Sequence, residues 1–152
     1  MSSSKLEKGT FVVSIDFEYA WGYADYDIST EQKELIREEV QVSDQLIALF
    51  EEFNVPATWA TVGHLLETDC KASDGRVHSN YPVEIYTDNQ TDWFAQHPSV
   101  GNYDDQLWFD TAGVIKRVLV SSVVHEVGSH SYAHILYGAP NIKSEAVRAD
   151  IT

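Results

Sequence analysis

A strand–helix–strand pattern in residues 11–62 constrains the fold of this chain more than any other feature. Residues 11–15 form a short, nearly continuous apolar run, which is typical of a strand buried on both faces of a parallel sheet. Residues 29–53 carry a helical pattern, and residues 57–62 form a second apolar run. This order predicts a βαβ unit, in which two parallel strands are joined by a right-handed helical crossover.

The ends of the predicted helix are marked by local signals. Ser29 and Gln32 have the spacing of a capping box, so we expect the helix to begin there and to continue to about Phe53. Asn54 is a plausible C-cap, and Pro56 cannot continue a helix. The apolar residues expected on one side of this helix are Leu35, Ile36, Val40, Ile47, Phe50 and Phe53.

The rest of the chain predicts one α/β domain behind a polar tail at residues 1–10. Residues 67–108 are polar and rich in turn residues, and we expect an irregular insertion whose aromatic side chains either stack on sugar rings or form a small core. Asp110 is expected to cap a second helix, with a third strand at 123–127 and another helix starting at 144–151. The apolar stripe of the second helix is Val114, Ile115, Val118 and Leu119.

Charge and composition narrow the classes of partner. The chain has 24 acidic and 10 basic residues, for a net charge of −14, which argues against nucleic acid and against anionic membrane surfaces. A neutral or cationic substrate fits this negative charge better than an anionic one does. The single cysteine excludes an intrachain disulfide. No apolar run is long enough to span a membrane and no signal peptide is visible, so we expect a cytoplasmic protein.

Two acidic residues stand where the first predicted strand ends. Asp16 and Glu18 are two residues apart, so their side chains are expected on the same side of an extended chain. Two carboxylates held close together are costly to keep ionised unless a cation lies between them. The pair therefore favours a divalent metal site at the carboxyl end of the strand, where (β/α) barrels build their active sites. Two solvated acids at an exposed strand end are the alternative interpretation.

Two histidines stand near the end of the chain. His130 and His134 are four residues apart, which would place both side chains on one face of a helical turn. Imidazole pairs at this spacing are good ligands for zinc and similar metals. Taken alone, the pair fits structural or surface histidines at least as well. Three further side chains are candidates to line such a site: His64, Trp21 and Tyr132. For His64, a structural role with hydrogen bonds is the alternative that we favour.

The segment His125-Glu126, followed by His130, is close to the His-Glu-x-x-His motif of zinc proteases but differs in spacing. The second histidine comes five residues after the first instead of four, which rotates it off the shared helical face. We therefore exclude a zinc protease. We expect His125 to stand at the start of a strand without binding metal, and Glu126 to accept hydrogen bonds from nearby donors.

Together these segments resemble the polysaccharide deacetylase family, also called the NodB-homology family. Its first motif is a strand followed by two acidic residues, and a variant branch has Asp-x-Glu, as at residues 14–18 here. Its second motif, His-Ser/Thr-x-x-His with a Glu-Ile/Val-Gly lead-in, is similar to residues 126–134. Residues 56–63 resemble the second strand of the family. The resemblance covers about residues 11–150.

The resemblance implies a distorted (β/α) barrel and a hydrolase that removes an acetyl group from an N-acetylated sugar. Asp16 matches the catalytic base of the family. Glu18, His130 and His134 match its metal ligands, and zinc is the usual metal. Such a metal lowers the pKa of a bound water, whose proton Asp16 would accept. The family also uses a later histidine as general acid and a later arginine that orients the base.

The length of the chain raises an expectation about the barrel. A complete (β/α) barrel typically needs about 250 residues, whereas this chain has 152 and lacks the later histidine and arginine motifs. We therefore expect roughly the first half of a barrel, with an exposed edge through which copies could associate as a homo-oligomer. Three functions stay open: an N-deacetylase acting on an acetylated carbohydrate, a hydrolase of another non-peptide C–N amide bond, and a non-enzymatic metal-binding fragment.

Overall fold

The protein is built on a small parallel sheet. The computed structural model describes four stretches of the chain, residues 9–23, 27–67, 85–87 and 105–151. The strands are β1 (Ser14–Phe17), β2 (Thr58–Thr61) and β3 (Glu126–Ser129). They pair in the order β1-β2-β3, and both pairs are parallel. The carboxyl ends of all three strands therefore lie at one edge of the sheet.

Helices connect these strands. They are α1 (Thr30–Phe53), α2 (Asp105–Trp108), α3 (Val114–Val120) and α4 (Ser144–Ile151), with short 3-10 helices at Tyr19–Tyr23 and Gly63–Leu66. The helix α1 joins the parallel strands β1 and β2, which confirms the predicted strand–helix–strand unit. The fold is thus mixed α/β. The described residues form a sheet of three strands and do not form the expected barrel.

The helix α1 begins and ends where its capping residues predict. The Ser29 side chain accepts a hydrogen bond from the Gln32 N–H at 3.2 Å, and the Ser29 N–H donates to Gln32 Oε1 at 2.9 Å. Asn54 ends the helix in the left-handed conformation, with φ of 51°. Four described residues form the buried face of α1, and they are Ile36, Ser43, Ile47 and Phe50. Leu35 and Phe53 were expected on this face but are exposed. Leu35 is the neighbour of Ile36 and therefore points about 100° away from it around the helix, and Phe53 is the last residue of α1.

The helix α3 is capped by the acid predicted to cap it. Both carboxylate oxygens of Asp110 accept backbone hydrogen bonds, from the N–H of Val114 at 2.8 Å and of Ile115 at 3.0 Å. Gly113, between Asp110 and the helix, adopts a positive φ of 71°. The chain turns there, and this turn brings the first N–H groups of α3 to the Asp110 carboxylate. Of the predicted stripe, only Leu119 is wrong, since it is exposed.

The limits of two strands differ from the apolar runs. β1 covers Ser14–Phe17 instead of 11–15, and Phe11 is 90% exposed. β3 covers Glu126–Ser129 instead of 123–127, and Val124 is 89% exposed. Both shifts follow from pairing, because each outer strand can begin only where β2 supplies hydrogen-bond partners, just after Pro56.

Only one face of the sheet is covered by the described residues. Ile15 and Phe17 of β1 point to the same face as Trp59 and Thr61 of β2, and this face packs into the core. The opposite face carries exposed side chains, including Asp16. The expectation of strands buried on both faces is therefore wrong for this part of the chain.

Most of the expected insertion at 67–108, like most of the tail at 1–10, lies outside the described residues. The described parts of the insertion contribute to the core. Ile85 and Tyr86 are buried, and Leu107 is fully buried. Among the described residues, no helix combines the length and the apolar character needed to cross a membrane.

Candidate metal centre

The carboxylate of the centre comes from Glu18, the residue that follows β1. Its carbonyl accepts the first hydrogen bond of the next 3-10 helix, from the Trp21 N–H at 2.9 Å. That helix is anchored in the core, because Tyr19 and Trp21 are buried and the Trp21 ring N–H donates to the Trp108 carbonyl at 3.1 Å. The backbone that carries the Glu18 side chain is therefore held in place by the core.

Gly22 makes room for the Glu18 carboxylate. A methyl group added at position 22 would lie 2.8 Å from Glu18 Cδ and 3.2 Å from its Cγ, and it would also meet Oε1. The shorter of these distances is not tolerated between carbon atoms, so the Glu18 side chain would have to move. The space left by the missing side chain at Gly22 is therefore occupied by the Glu18 carboxylate.

His130 and His134 lie on a loop that follows β3, and the predicted helical turn is wrong. Ser131 and His134 both adopt positive φ, 63° and 55°. The loop is tied to the end of β2 because the N–H of His130 donates to the Thr61 carbonyl at 2.9 Å. The N–H groups of Gly63 and His64 donate to the next carbonyls of the loop, those of Ser131 and Tyr132.

The loop brings both imidazoles to Glu18. The Nε2 atoms of His130 and His134 lie 3.1 and 2.9 Å from Glu18 Oε2, and the ring centroids are 5.0 Å apart. One ligand atom from each residue can be chosen so that all three lie within 4.8 Å of one another. The three side chains are 25% to 31% exposed, so the group is reachable from solvent. The sequence prediction that these residues meet is confirmed.

The polar atoms of the group suit a cation. Glu18 Oε2 is buried and has no donor of regular hydrogen-bond geometry among the described residues, despite its two close nitrogen contacts. The contact with His134 is the largest cause that holds the pKa of the Glu18 carboxyl below its ordinary value, and burial opposes it. One carboxylate and two imidazoles are a ligand set that zinc uses, and three protein ligands leave a further position open. The residues could therefore hold a divalent metal ion.

A second acid stands close enough to influence Glu18. Burial raises the pKa of Glu39, on α1, to about 7, and the charge of Glu18 is the second cause. A cation between Glu18 and the imidazoles would weaken that repulsion. The electrostatics of the centre therefore extend to α1.

Asp16, the expected base, lies outside the group of three. Its exposed side chain is on the open face of the sheet, level with Ala60 and Gly128. Among the described residues, its carboxylate has no hydrogen bond or ion pair. The small neighbours leave space above this part of the sheet, so Asp16 is accessible from solvent.

The three residues expected to line the site are placed at different depths. Trp21 and His64 are fully buried and pack against each other with ring centroids 4.4 Å apart, so neither can touch a substrate directly. Tyr132 is half-buried on the loop between the histidines, with its hydroxyl 3.4 Å from Glu67. Of the three, only Tyr132 is positioned for contact with a ligand.

The residues excluded from the site have structural roles. His125 Nδ1 accepts a hydrogen bond from the Ala57 N–H at 3.1 Å, just before β3. Glu126 accepts a hydrogen bond from the Thr58 hydroxyl at 2.7 Å. His125 thus stands just before β3 and Glu126 accepts a hydrogen bond, as the sequence predicts.

Two residues of the centre had no role in the sequence prediction. In the sequence, Gly22 is one of several turn-forming residues after the first predicted strand, and Asp150 is one acid of the last predicted helix. Asp150 is buried, and its carboxylate contacts the loop between the two histidines. The Gly22 contact depends on the turn of the 3-10 helix after β1, and the Asp150 contacts join α4 to a loop 17 and 18 residues earlier, so residue types alone reveal neither role.

Comparison of the chain with protein-family models, with curated proteins and with solved structures finds no match. The resemblance to polysaccharide deacetylases therefore rests on the motifs, and the geometry of the site has to carry the functional argument.

Proposed function

We propose that this protein is a metal-dependent hydrolase that removes the N-acetyl group from an amino sugar or a polysaccharide precursor. The observation that carries the proposal is the convergence of Glu18, His130 and His134 at the carboxyl edge of a parallel sheet. Asp16 stands two residues before the carboxylate ligand, on the open face of β1. The three ligands support a metal site, and Asp16 is an exposed acid two residues before one of them in the sequence.

Each residue has a role in the proposed reaction. Glu18, His130 and His134 would hold a divalent metal, with zinc the best fit to the donor set. Such a metal supplies a Lewis acid and lowers the pKa of a bound water from about 15.7 towards 7. Asp16 would act as general base and accept the proton of the attacking water, and this proton would then pass to the leaving amine nitrogen as the C–N bond breaks, giving acetate and the free amine. Its exposure leaves it open to both water and substrate.

The substrate class comes from the motif resemblance and from charge. A chain with a net charge of −14 repels polyanions and tolerates neutral or cationic sugars, which include deacetylated amino sugars. Hydrolysis of another non-peptide C–N amide would use the same ligands and the same base. Turnover measured on a panel of N-acylated sugars and other amides distinguishes these two substrate classes. A cytoplasmic location stays a prediction.

One observation favours a second candidate, a metal-binding protein without catalysis. The Asp16 carboxylate is exposed and is not part of the group that could hold the metal. If Asp16 has no role beyond solvation, the three ligands alone make a metal site, and zinc would bind without turnover of any acylated sugar.

The test is a pair of measurements on Asp16→Asn and Glu18→Gln. We expect Asp16→Asn to lower the rate of release of acetate from an N-acetylated amino-sugar oligomer by about 100-fold or more, because general-base catalysis typically contributes that much. Its zinc affinity should stay within about threefold of wild type, whereas Glu18→Gln should lose zinc. Full activity of Asp16→Asn would refute the mechanism.

A further inference from the structure

A buried acid lies at the end of α4, next to the metal-binding loop. Asp150 is only 5% exposed. A carboxylate so deeply buried is costly unless hydrogen-bond donors surround it. Its donors include the backbone N–H groups of Tyr132 and Ala133 and the hydroxyl of Tyr137. The arrangement of these donors indicates what the acid does.

The two backbone donors lie between the histidine ligands. The Tyr132 N–H donates to Asp150 Oδ2 at 3.0 Å, and the Ala133 N–H donates to Oδ1 at 2.8 Å. Both oxygens are thus used on consecutive residues of the loop. Hydrogen bonds to an ionised carboxylate are about twice as strong as those between neutral groups. The carboxylate therefore holds the middle of the loop through a fork of two hydrogen bonds, one to each oxygen.

This fork explains why the loop is not helical. In a helical turn, backbone N–H groups donate to carbonyls four residues earlier. Here the central N–H groups donate to Asp150, and the chain turns through positive φ at Ser131 and at His134. A non-glycine residue at positive φ costs about 1 kcal/mol or more and needs support from its surroundings. The bonds to Asp150 supply that support.

We propose that Asp150 is a positioning residue of the metal centre, which holds the loop at 130–134 so that both imidazoles face Glu18. The proposal rests on the metal-binding part of the proposed function. The other side of the loop is held separately, by the N–H groups of Gly63 and His64. Loss of Asp150 therefore frees one side of the loop and leaves its attachment to β2 in place.

The experiment compares zinc affinity in wild type, Asp150→Asn and Glu145→Gln, all as the full chain. Asp150→Asn replaces one acceptor oxygen with an N–H₂ group that faces a backbone donor. We expect it to weaken zinc binding by about 10- to 100-fold, the range typical of residues that orient metal ligands. Glu145→Gln removes the same charge from an exposed position of α4 and should change the affinity less than about twofold.

Cobalt spectra separate positioning from general stability. The visible absorption of bound Co²⁺ reports the geometry of its ligands, so Asp150→Asn should change the intensity and position of the bands even at saturating metal, whereas Glu145→Gln should match wild type. Wild-type affinity and an unchanged spectrum in Asp150→Asn would overturn the positioning role alone. If wild type binds neither zinc nor cobalt, the metal centre itself is wrong and the role of Asp150 falls with it.

A measurement on wild type covers the case in which Asp150→Asn does not fold. Amide hydrogen exchange of the metal-free protein should show the Tyr132 and Ala133 amides to be protected by at least about tenfold, because each donates to a buried carboxylate. Exchange of both amides at the rate of unstructured chain would contradict the anchoring of the loop and refute the proposal.

Discussion

At the scale of single residues, the metal centre depends on a position with no side chain. Gly22 lies against the Glu18 carboxylate, and any Cβ there would overlap it. The overlap falls on the far end of a flexible side chain, so the backbone can stay in place while the carboxylate moves. Metal binding and folding should therefore respond differently to substitution at Gly22.

We expect Gly22→Ala to weaken zinc binding by about tenfold or more, because it displaces one ligand, and to change the free energy of unfolding of the metal-free protein by less than about 1 kcal/mol. Zinc titration and chemical denaturation measure the two effects. Gly138→Ala is the matched control, since a Cβ at Gly138 meets nothing within 4 Å. Equal zinc affinity in both variants would show that Gly22 does not shape the site.

Glu39 supplies a pH-dependent prediction. Its pKa in the folded protein is raised to about 7, so the folded state binds a proton more tightly than the unfolded chain does. This gives stability that is fully present below the ordinary pKa of about 4.5 and is lost as pH rises through 7. At pH 8 the ionised side chain therefore destabilises the metal-free protein.

Glu39→Gln should stabilise the metal-free protein at pH 8 by up to about 3 kcal/mol, since one pKa unit corresponds to about 1.4 kcal/mol. The gain should shrink steadily between pH 7 and pH 5. Denaturation curves across this range measure it, with Glu38→Gln, at the exposed neighbouring position, as control. A gain that does not depend on pH would contradict the shifted pKa.

Residue types and spacing predicted the ligands, but not the residues that position them. The ligands stand in short motifs whose residue types and spacing indicate metal binding, and they are Glu18, His130 and His134. Gly22 and Asp150 act through contacts that exist only after folding, Gly22 on a side chain and Asp150 on a loop 17 and 18 residues earlier. No local pattern distinguishes them from an ordinary turn glycine and an ordinary helix acid.

At the scale of elements, local sequence signals predicted the ends of α1 correctly, whereas the starts of the paired strands were predicted wrongly. The ends of α1 were predicted because Ser29 and Asn54 act on the backbone within a few residues of themselves. The starts of β1 and β3 were wrong because they depend on β2, a partner far along the chain. The loop at 130–134 was predicted as a helical turn because the two-histidine spacing fits one, and its hydrogen bonds to Asp150 override that preference.

The capping box of α1 gives an element-scale prediction. Ser29→Ala removes the side-chain oxygen that accepts the Gln32 N–H, and we expect a loss of about 1 kcal/mol in the free energy of unfolding. Gln45→Ala, at an exposed position inside α1, should change it by less than about 0.5 kcal/mol. Equal effects in the two variants, measured by urea denaturation, would mean that the cap contributes nothing.

At the scale of the whole molecule, the centre joins distant parts of the chain. Glu18 follows β1, the histidines follow β3, and Asp150 lies in α4. A metal held there bridges the first and last strands of the described sheet. The open face of this sheet was not anticipated, because the apolar runs suggested strands covered on both sides. Association of copies through an exposed edge stays a prediction.

Metal binding should therefore stabilise the fold as a whole. A ligand that binds only the folded state at 100 times its dissociation constant adds about 2.7 kcal/mol. We expect saturating zinc to raise the melting temperature by several degrees and a chelator to reverse the rise. His134→Ala should lose most of the shift, while His125→Ala, away from the centre, should keep it. An identical zinc shift in wild type and His134→Ala would place the metal elsewhere.

The most direct test of the metal centre is anomalous diffraction at the zinc absorption edge from crystals of the full chain grown with zinc. The account predicts one strong anomalous peak at bonding distance from a Glu18 carboxylate oxygen and from the Nε2 atoms of His130 and His134, with at least one position open to solvent. A fully occupied zinc peak bound by other residues, or none at these three side chains, would contradict it.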